Sequence, residues 1–181
     1  MFDVSLATIA VTALSYLAFL ALSIQLTIVD AREHRLPNKL VALSAAIGVA
    51  SIAITALLTT DPQPLLRALA CAATTFAIYL ALHLLSRTKS GAGLGAGDVK
   101  LSAVLGLYLG WVSVDAAVLG IASGFVLGAL FSLALIAIRR GNRRTKVAFG
   151  PWMLAGAWLV IAIAAVNTAS GLPDLLHSHY S

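Results

Sequence analysis

The sequence predicts an all-α membrane protein of six transmembrane helices, with both termini extracytoplasmic. Three observations predict it. Apolar residues make up 60% of the 181 and charged residues only 10%, where a soluble domain carries roughly 25% charge, and mean hydropathy is +0.97. The apolar residues fall into six runs, most of them near the ~20 residues that a helix needs to cross the hydrocarbon. Basic residues crowd into alternate gaps between those runs.

The first run, 6–29, has no basic residue before it and is longer than the roughly 7–15 residues of a signal-peptide core. It is therefore expected to be a retained helix. The second spans 40–59, and Pro37 suits the first turn at its start, with Asn38 free to hydrogen-bond locally. The third covers 64–85. The fourth, 99–114, is short and is separated from the fifth, 116–138, only by Gly110-Trp111-Val112-Ser113-Val114-Asp115. One helix through both, roughly 40 residues long, would not fit a bilayer, so a break is expected there. The sixth run is 149–166. Glycines recur every four residues at Gly106 and Gly110, and at Gly120, Gly124 and Gly128, a spacing that lets helix backbones approach closely. Residues 1–181 read as a single polytopic domain.

Eleven of the twelve Lys and Arg lie in three of the gaps. Arg32, Arg35 and Lys39 follow the first run. Arg87, Lys89 and Lys100 surround the third gap, and Arg139, Arg140, Arg143, Arg144 and Lys146 fill the fifth. The other ends hold Arg67 together with Asp3, Asp61, Asp115 and Asp174. By the positive-inside rule the three basic gaps are cytoplasmic. The net charge of +5 is thus a topology signal, with anionic lipid as a partner for the Arg-rich gap, and it is not read as nucleic-acid binding. The single Cys71 lies inside an apolar run and can form neither an internal disulfide nor a CxxC pair.

The seven acids divide by the same topology. Asp30, Glu33 and Asp98 fall on the cytoplasmic side. Asp30 ends the first helix and Asp98 begins the fourth, so both meet the same bilayer surface. Gly91, Gly93, Gly95 and Gly97 alternate ahead of Asp98, a stretch with little side-chain bulk that a peptide backbone could approach. Two neighbouring carboxylates do not both ionise easily. One can take a proton from water while the other polarises a carbonyl. A helix N-terminus favours an anion and a C-terminus disfavours one, so the sequence makes Asp98 the resting base and Asp30 the proton carrier.

Three stretches resemble the prepilin peptidases, a family of GxGD intramembrane aspartic proteases. They are Asp30-Ala31-Arg32-Glu33-His34-Arg35-Leu36-Pro37-Asn38, Gly95-Ala96-Gly97-Asp98-Val99-Lys100-Leu101 and Ala148-Phe149-Gly150-Pro151. The resemblance covers roughly residues 5–165. It implies an aspartic endopeptidase of the bacterial cytoplasmic (inner) membrane that removes the leader of type IV prepilins or pseudopilins, with Asp30 and Asp98 as the catalytic pair. Larger members resemble this chain but add an N-terminal region with paired CxxC motifs and also N-methylate the product. The absence of that region here resembles the short, peptidase-only branch associated with Flp-type pili and puts methylation in doubt.

Gly95, Gly97, Lys100, Phe149, Gly150 and Pro151 are the residues expected to bind substrate or shape the site. Glu33 is expected to be a solvated loop acid, and His177 and His179 to belong to a disordered tail. Trp111 reads as an interface anchor, and His83, towards the inner end of the third run, is placed to hydrogen-bond another helix, with no second metal ligand evident. No metal or cofactor is expected. Two other readings stand beside the first. One is a GxGD protease of the presenilin type, which would need Tyr-Asp and Pro-Ala-Leu steps where this chain has Val29-Asp30 and Phe149-Gly150-Pro151. The other is a small proton- or cation-coupled transporter using Asp30 and Asp98, which would place its acids near mid-membrane. The particular pilin, its cleavage-site residues and the oligomeric state are not legible.

Overall fold

A computed structural model describes residues 4–33, 35–86, 94–138 and 148–170. Asp3, His34, Arg87, Lys89, Gly91, Gly93, the basic residues from Arg139 to Lys146, Asp174, His177 and His179 lie outside the described residues. Among the described residues there are six helices and no strand: α1 (Val4–Glu33), α2 (Asn38–Thr59), α3 (Gln63–Leu85), α4 (Ala96–Val112), α5 (Val114–Ala137) and α6 (Gly150–Ser170). Five of them are long and apolar enough to cross a membrane, α4 being the exception. At a rise of about 1.5 Å per residue, α1 with its 30 residues exceeds a hydrocarbon core of ~30 Å. Its last turns, which carry Asp30, project to one end of the bundle.

The break between α4 and α5 falls where the sequence placed it, and Ser113 makes it. Its backbone is extended (φ −165°, ψ 168°), and its N–H closes α4 on the Leu109 carbonyl. Its hydroxyl accepts the Ala116 N–H at 2.9 Å, capping the start of α5 in the ordinary serine manner.

Short as it is, α4 is the centre of the molecule. Twelve of its 17 residues are buried, because α3 packs along it and α2, α5 and α6 close the other sides. Stacked rings complete the enclosure from α1: Phe19 lies on Tyr108 with centroids 4.0 Å apart, and Tyr16 meets Trp111 at 5.5 Å. The polar tips inside this apolar packing are paired, as buried polar groups must be. Tyr16 donates to the Tyr108 carbonyl at 2.9 Å, Tyr108 to the Ser44 carbonyl at 3.2 Å, and the Trp158 indole to the Ser23 hydroxyl at 3.1 Å. Trp111 is thus only 9% exposed, which corrects its reading as an interface anchor. Tyr16 stacks on one face of the indole.

The glycine spacing marks close helix contacts. A Cβ on Gly156 of α6 would come within 2.7 Å of the Gly124 Cα on α5. One on Gly106 of α4 would meet the Cys71 carbonyl of α3 at 2.7 Å. Backbone cannot move aside cheaply, so these positions set the helix separations.

Arg67 has a role that hydropathy does not show. From the first turns of α3 it donates to three carbonyls at the end of α4: Gly110 at 2.8 Å, Trp111 at 2.7 Å and Val112 at 3.2 Å. A helix end leaves such acceptors unsatisfied, and a cation there also complements the dipole. Arg67→Met should lower the unfolding free energy by about 3 kcal/mol, since it strands charge-assisted acceptors. A thermal melt of the detergent-solubilised protein measures this, and a melting temperature equal to wild type would contradict it.

Candidate active site

Chain segments far apart in sequence converge at one end of the bundle: the last turn of α1, residues 35–37, and the starts of α4 and α6. Asp30 comes from α1 and is 5% exposed. It sits against the start of α6, where a Cβ added to Gly150 would lie 2.6 Å from the Asp30 Oδ2. The carboxylate therefore occupies the space that a side chain at 150 would take. It also lies beside a helix N-terminus, where the dipole favours an anion.

Asp98 is the third residue of α4 and is 8% exposed. Gly95, the N-cap, has no side chain, so only half of a capping box forms. The Asp98 Oδ2 accepts the Gly95 N–H at 3.3 Å, and the Asp98 N–H donates to the Gly95 carbonyl at 3.1 Å. Asp98 lies ahead of the apolar stretch that starts at Val99. Its carboxyl is pushed up to about 6, first by burial and then by the charge of Asp30, while the Gly95 N–H pulls it down. The two aspartates are thus within electrostatic reach of each other at a water-poor end of the bundle. That is the arrangement in which a carboxyl pair holds one proton between its members.

Leu36 fills the space between the starts of α4 and α6. A Cβ on Gly97 would meet Leu36 Cβ at 3.1 Å, and one on Gly150 would meet Leu36 Cδ2 at 3.5 Å. Glycine at 97 and at 150 lets this one leucine wedge against both helix starts. Along the chain Leu36 stands out only as part of the motif that follows Asp30. Its signal was the bulky apolar residue in an otherwise polar loop, just before Pro37.

The other expected site residues are divided by the fold. Lys100 is exposed and donates to Asn38 Oδ1 at 2.9 Å, tying α4 to the first residue of α2. The same two residues line one end of a crevice of about 530 Å³ between α2, α3 and α4, floored by Ala45, Val49 and Leu107. Phe149 turns to α5 instead, with its ring centroid 5.2 Å from that of Phe125 and its edge against Gly128. Pro151 is half-buried in the first turn of α6, and Glu33 is exposed. Among the described residues, no group of three or more His, Cys, Asp or Glu side chains could hold a metal ion.

The chain carries the signature of the type IV leader peptidase family over residues 17–139. That is most of its length, and the chain belongs to this family. The matched span contains both aspartates and ends before Gly150. Among curated proteins the chain is similar to a prepilin leader peptidase/N-methyltransferase of Aeromonas salmonicida, with 31% identity over 86 residues, 48% of this chain and 28% of that protein. It is also similar to the protein of the same name in Pseudomonas putida, with 35% identity over 69 residues, 38% of this chain and 23% of that protein. The matches thus span about a quarter of the length of these relatives. No solved structure matches the chain. Family membership and the run of long apolar helices together mark a multi-pass membrane protein.

Proposed function

We propose that this chain is a membrane-embedded aspartic endopeptidase that removes the leader from type IV prepilins or pseudopilins at the cytoplasmic face of the bacterial inner membrane. The observation that carries the reading is the buried pair Asp30 and Asp98, brought from separate helices to one end of the bundle and electrostatically coupled. The names of the relatives support the substrate class. The charge bias of the gaps supports the cytoplasmic placement, with residues 1–181 forming one polytopic domain and both termini outside.

In the mechanism, a water between the carboxylates is the nucleophile. Taken alone, the helix on which each residue sits favours Asp98 as the base. The fold adds two influences that act the other way. The start of α6 lies against Asp30 and favours its anion, and burial with a neighbouring negative charge favours a protonated Asp98. Asp30 then takes a proton from the attacking water while Asp98 gives its proton to the scissile carbonyl oxygen. Collapse of the resulting diol breaks the C–N bond: the leaving amine takes the proton held on Asp30, and one diol hydroxyl returns its proton to Asp98, which restores the pair. Glycine at 95, 97 and 150 keeps added side-chain bulk off the pair, since the carboxylates of Asp98 and Asp30 fill the space beside Gly95 and Gly150 and Leu36 fills that beside Gly97. The crevice that runs from Asn38 and Lys100 along α2 offers an apolar path for the substrate's membrane helix.

Co-expression with a prepilin, read by intact mass of the pilin, tests the proposal. A loss equal to the leader is the expected result, and an added methyl mass would reveal a second activity. Full-length prepilin beside well-expressed enzyme would refute it.

A further inference from the structure

The chain entering α4 is pinned by the end of α3. His83 Nδ1 lies 2.6 Å from the Leu94 carbonyl oxygen. A carbonyl only accepts, so Nδ1 carries the proton, and both the neutral Nδ1–H tautomer and the imidazolium can make this bond. The Leu94 N–H donates to the Ser86 hydroxyl at 3.1 Å, and that hydroxyl donates to the His83 carbonyl at 3.2 Å. Both backbone polar groups of Leu94 are therefore held by the last turn of α3. The Leu94 carbonyl and the Gly95 N–H belong to one peptide unit, and that unit is planar. Fixing the carbonyl toward His83 therefore aims the N–H the opposite way, and the acceptor it finds is the Asp98 carboxylate at 3.3 Å. A donor on the carbonyl also polarises the amide and strengthens its N–H.

We propose that His83 is a positioning residue for Asp98, acting through the Leu94–Gly95 peptide unit. The inference rests on the reading of Asp98 as a reacting group. Nothing about His83 alone suggests it, since the residue stands in an apolar helix 15 positions before Asp98.

The test compares His83→Leu, His83→Asn and His83→Gln in the full chain in lipid nanodiscs. The readouts are prepilin cleavage and melting temperature against pH. Asn places an amide N–H near the position of Nδ1, whereas Gln places its amide near Nε2. His83→Leu should lower kcat roughly ten- to a hundred-fold with KM little changed, a loss typical of a misaimed group. It should also move the acidic-range fall in melting temperature to higher pH, because the Asp98 carboxylate loses alignment with the donor that holds its pKa down. Asp30 from α1 and Tyr79 from α3 also face Asp98, so the fall is assigned to Asp98 by its loss in Asp98→Asn. His83→Asn should restore both readouts and His83→Gln neither. Wild-type kcat in His83→Leu overturns the inference. So does a kcat loss with an unmoved pH window, or rescue by Gln rather than Asn. Should Asp98→Asn itself cleave normally, the functional reading fails. Should Asp98→Asn be inactive while His83→Leu is normal, only the inference about His83 fails.

Discussion

Asp30→Asn and Asp98→Asn should each reduce prepilin cleavage at least about a thousand-fold, within the range that general acid–base groups supply, while the protein still inserts and folds. Asn matches Asp in size and can occupy the same packing, so what is lost is the proton traffic. Glu33→Gln, on an exposed residue of the same helix turn, should change the rate little and serves as the control. The stability consequence has a definite sign. Asp98 is raised from 3.8 to about 6 in the folded protein. Between those values the folded state binds more protons than the unfolded state. Stability therefore falls as pH rises from about 4 to 6 and is level above. Asp98→Asn removes the buried charge, so at pH 7 it should melt higher than wild type although it is inactive. In the wild type, cleavage should decline as pH rises through about 6, where the pair loses its shared proton. A melting temperature for Asp98→Asn below wild type at pH 7, or normal cleavage by either variant, would remove the carboxyl pair from the mechanism.

Gly150→Ala is the second large effect, and it separates function from folding. The added methyl would stand 2.6 Å from the Asp30 Oδ2 and 3.5 Å from Leu36 Cδ2. The nearer neighbour is the end of a side chain, which can rotate away at little cost in stability. The melting temperature should move by no more than about 2 °C, since the change exchanges no large buried area. The rotation, however, takes the carboxylate off its site at the start of α6. A displacement of that size costs roughly a hundred-fold in rate. The loss should appear in kcat, with prepilin binding preserved. An active Gly150→Ala would mean that the Asp30 position seen here is not the reacting one. The contrast is Gly156→Ala, whose methyl meets the Gly124 backbone at 2.7 Å. There the helices themselves must part, so stability and activity should fall together.

Much of this arrangement was legible along the chain. Hydropathy marked the helices to within a few residues, because burial in lipid is a property of each segment by itself. The break at Ser113 was legible because no bilayer accommodates the two runs joined. That Asp30 and Asp98 share one end of the bundle followed from helix parity. Other features were not legible, because they depend on which distant segments touch. Arg67 read as one stray cation and is the clamp on three α4 carbonyls. Trp111 read as an anchor and is enclosed under Tyr16. Phe149 read as a residue that binds substrate or shapes the site, and its ring contact with Phe125 of α5 was not visible along the chain.

The sequence by itself determined where the helices of the described residues fall, which ends are basic, and which acids stand at helix ends, since each follows from local composition counted along one dimension. Only the tertiary structure decided what surrounds each acid. A residue at the end of its own helix came to lie at the beginning of another, so a second helix dipole of opposite sense acts on Asp30. A peptide plane held by His83 turned a donor onto Asp98. Fields and hydrogen bonds act through a few ångströms of space, and no count along the chain records which remote groups packing will bring within that distance.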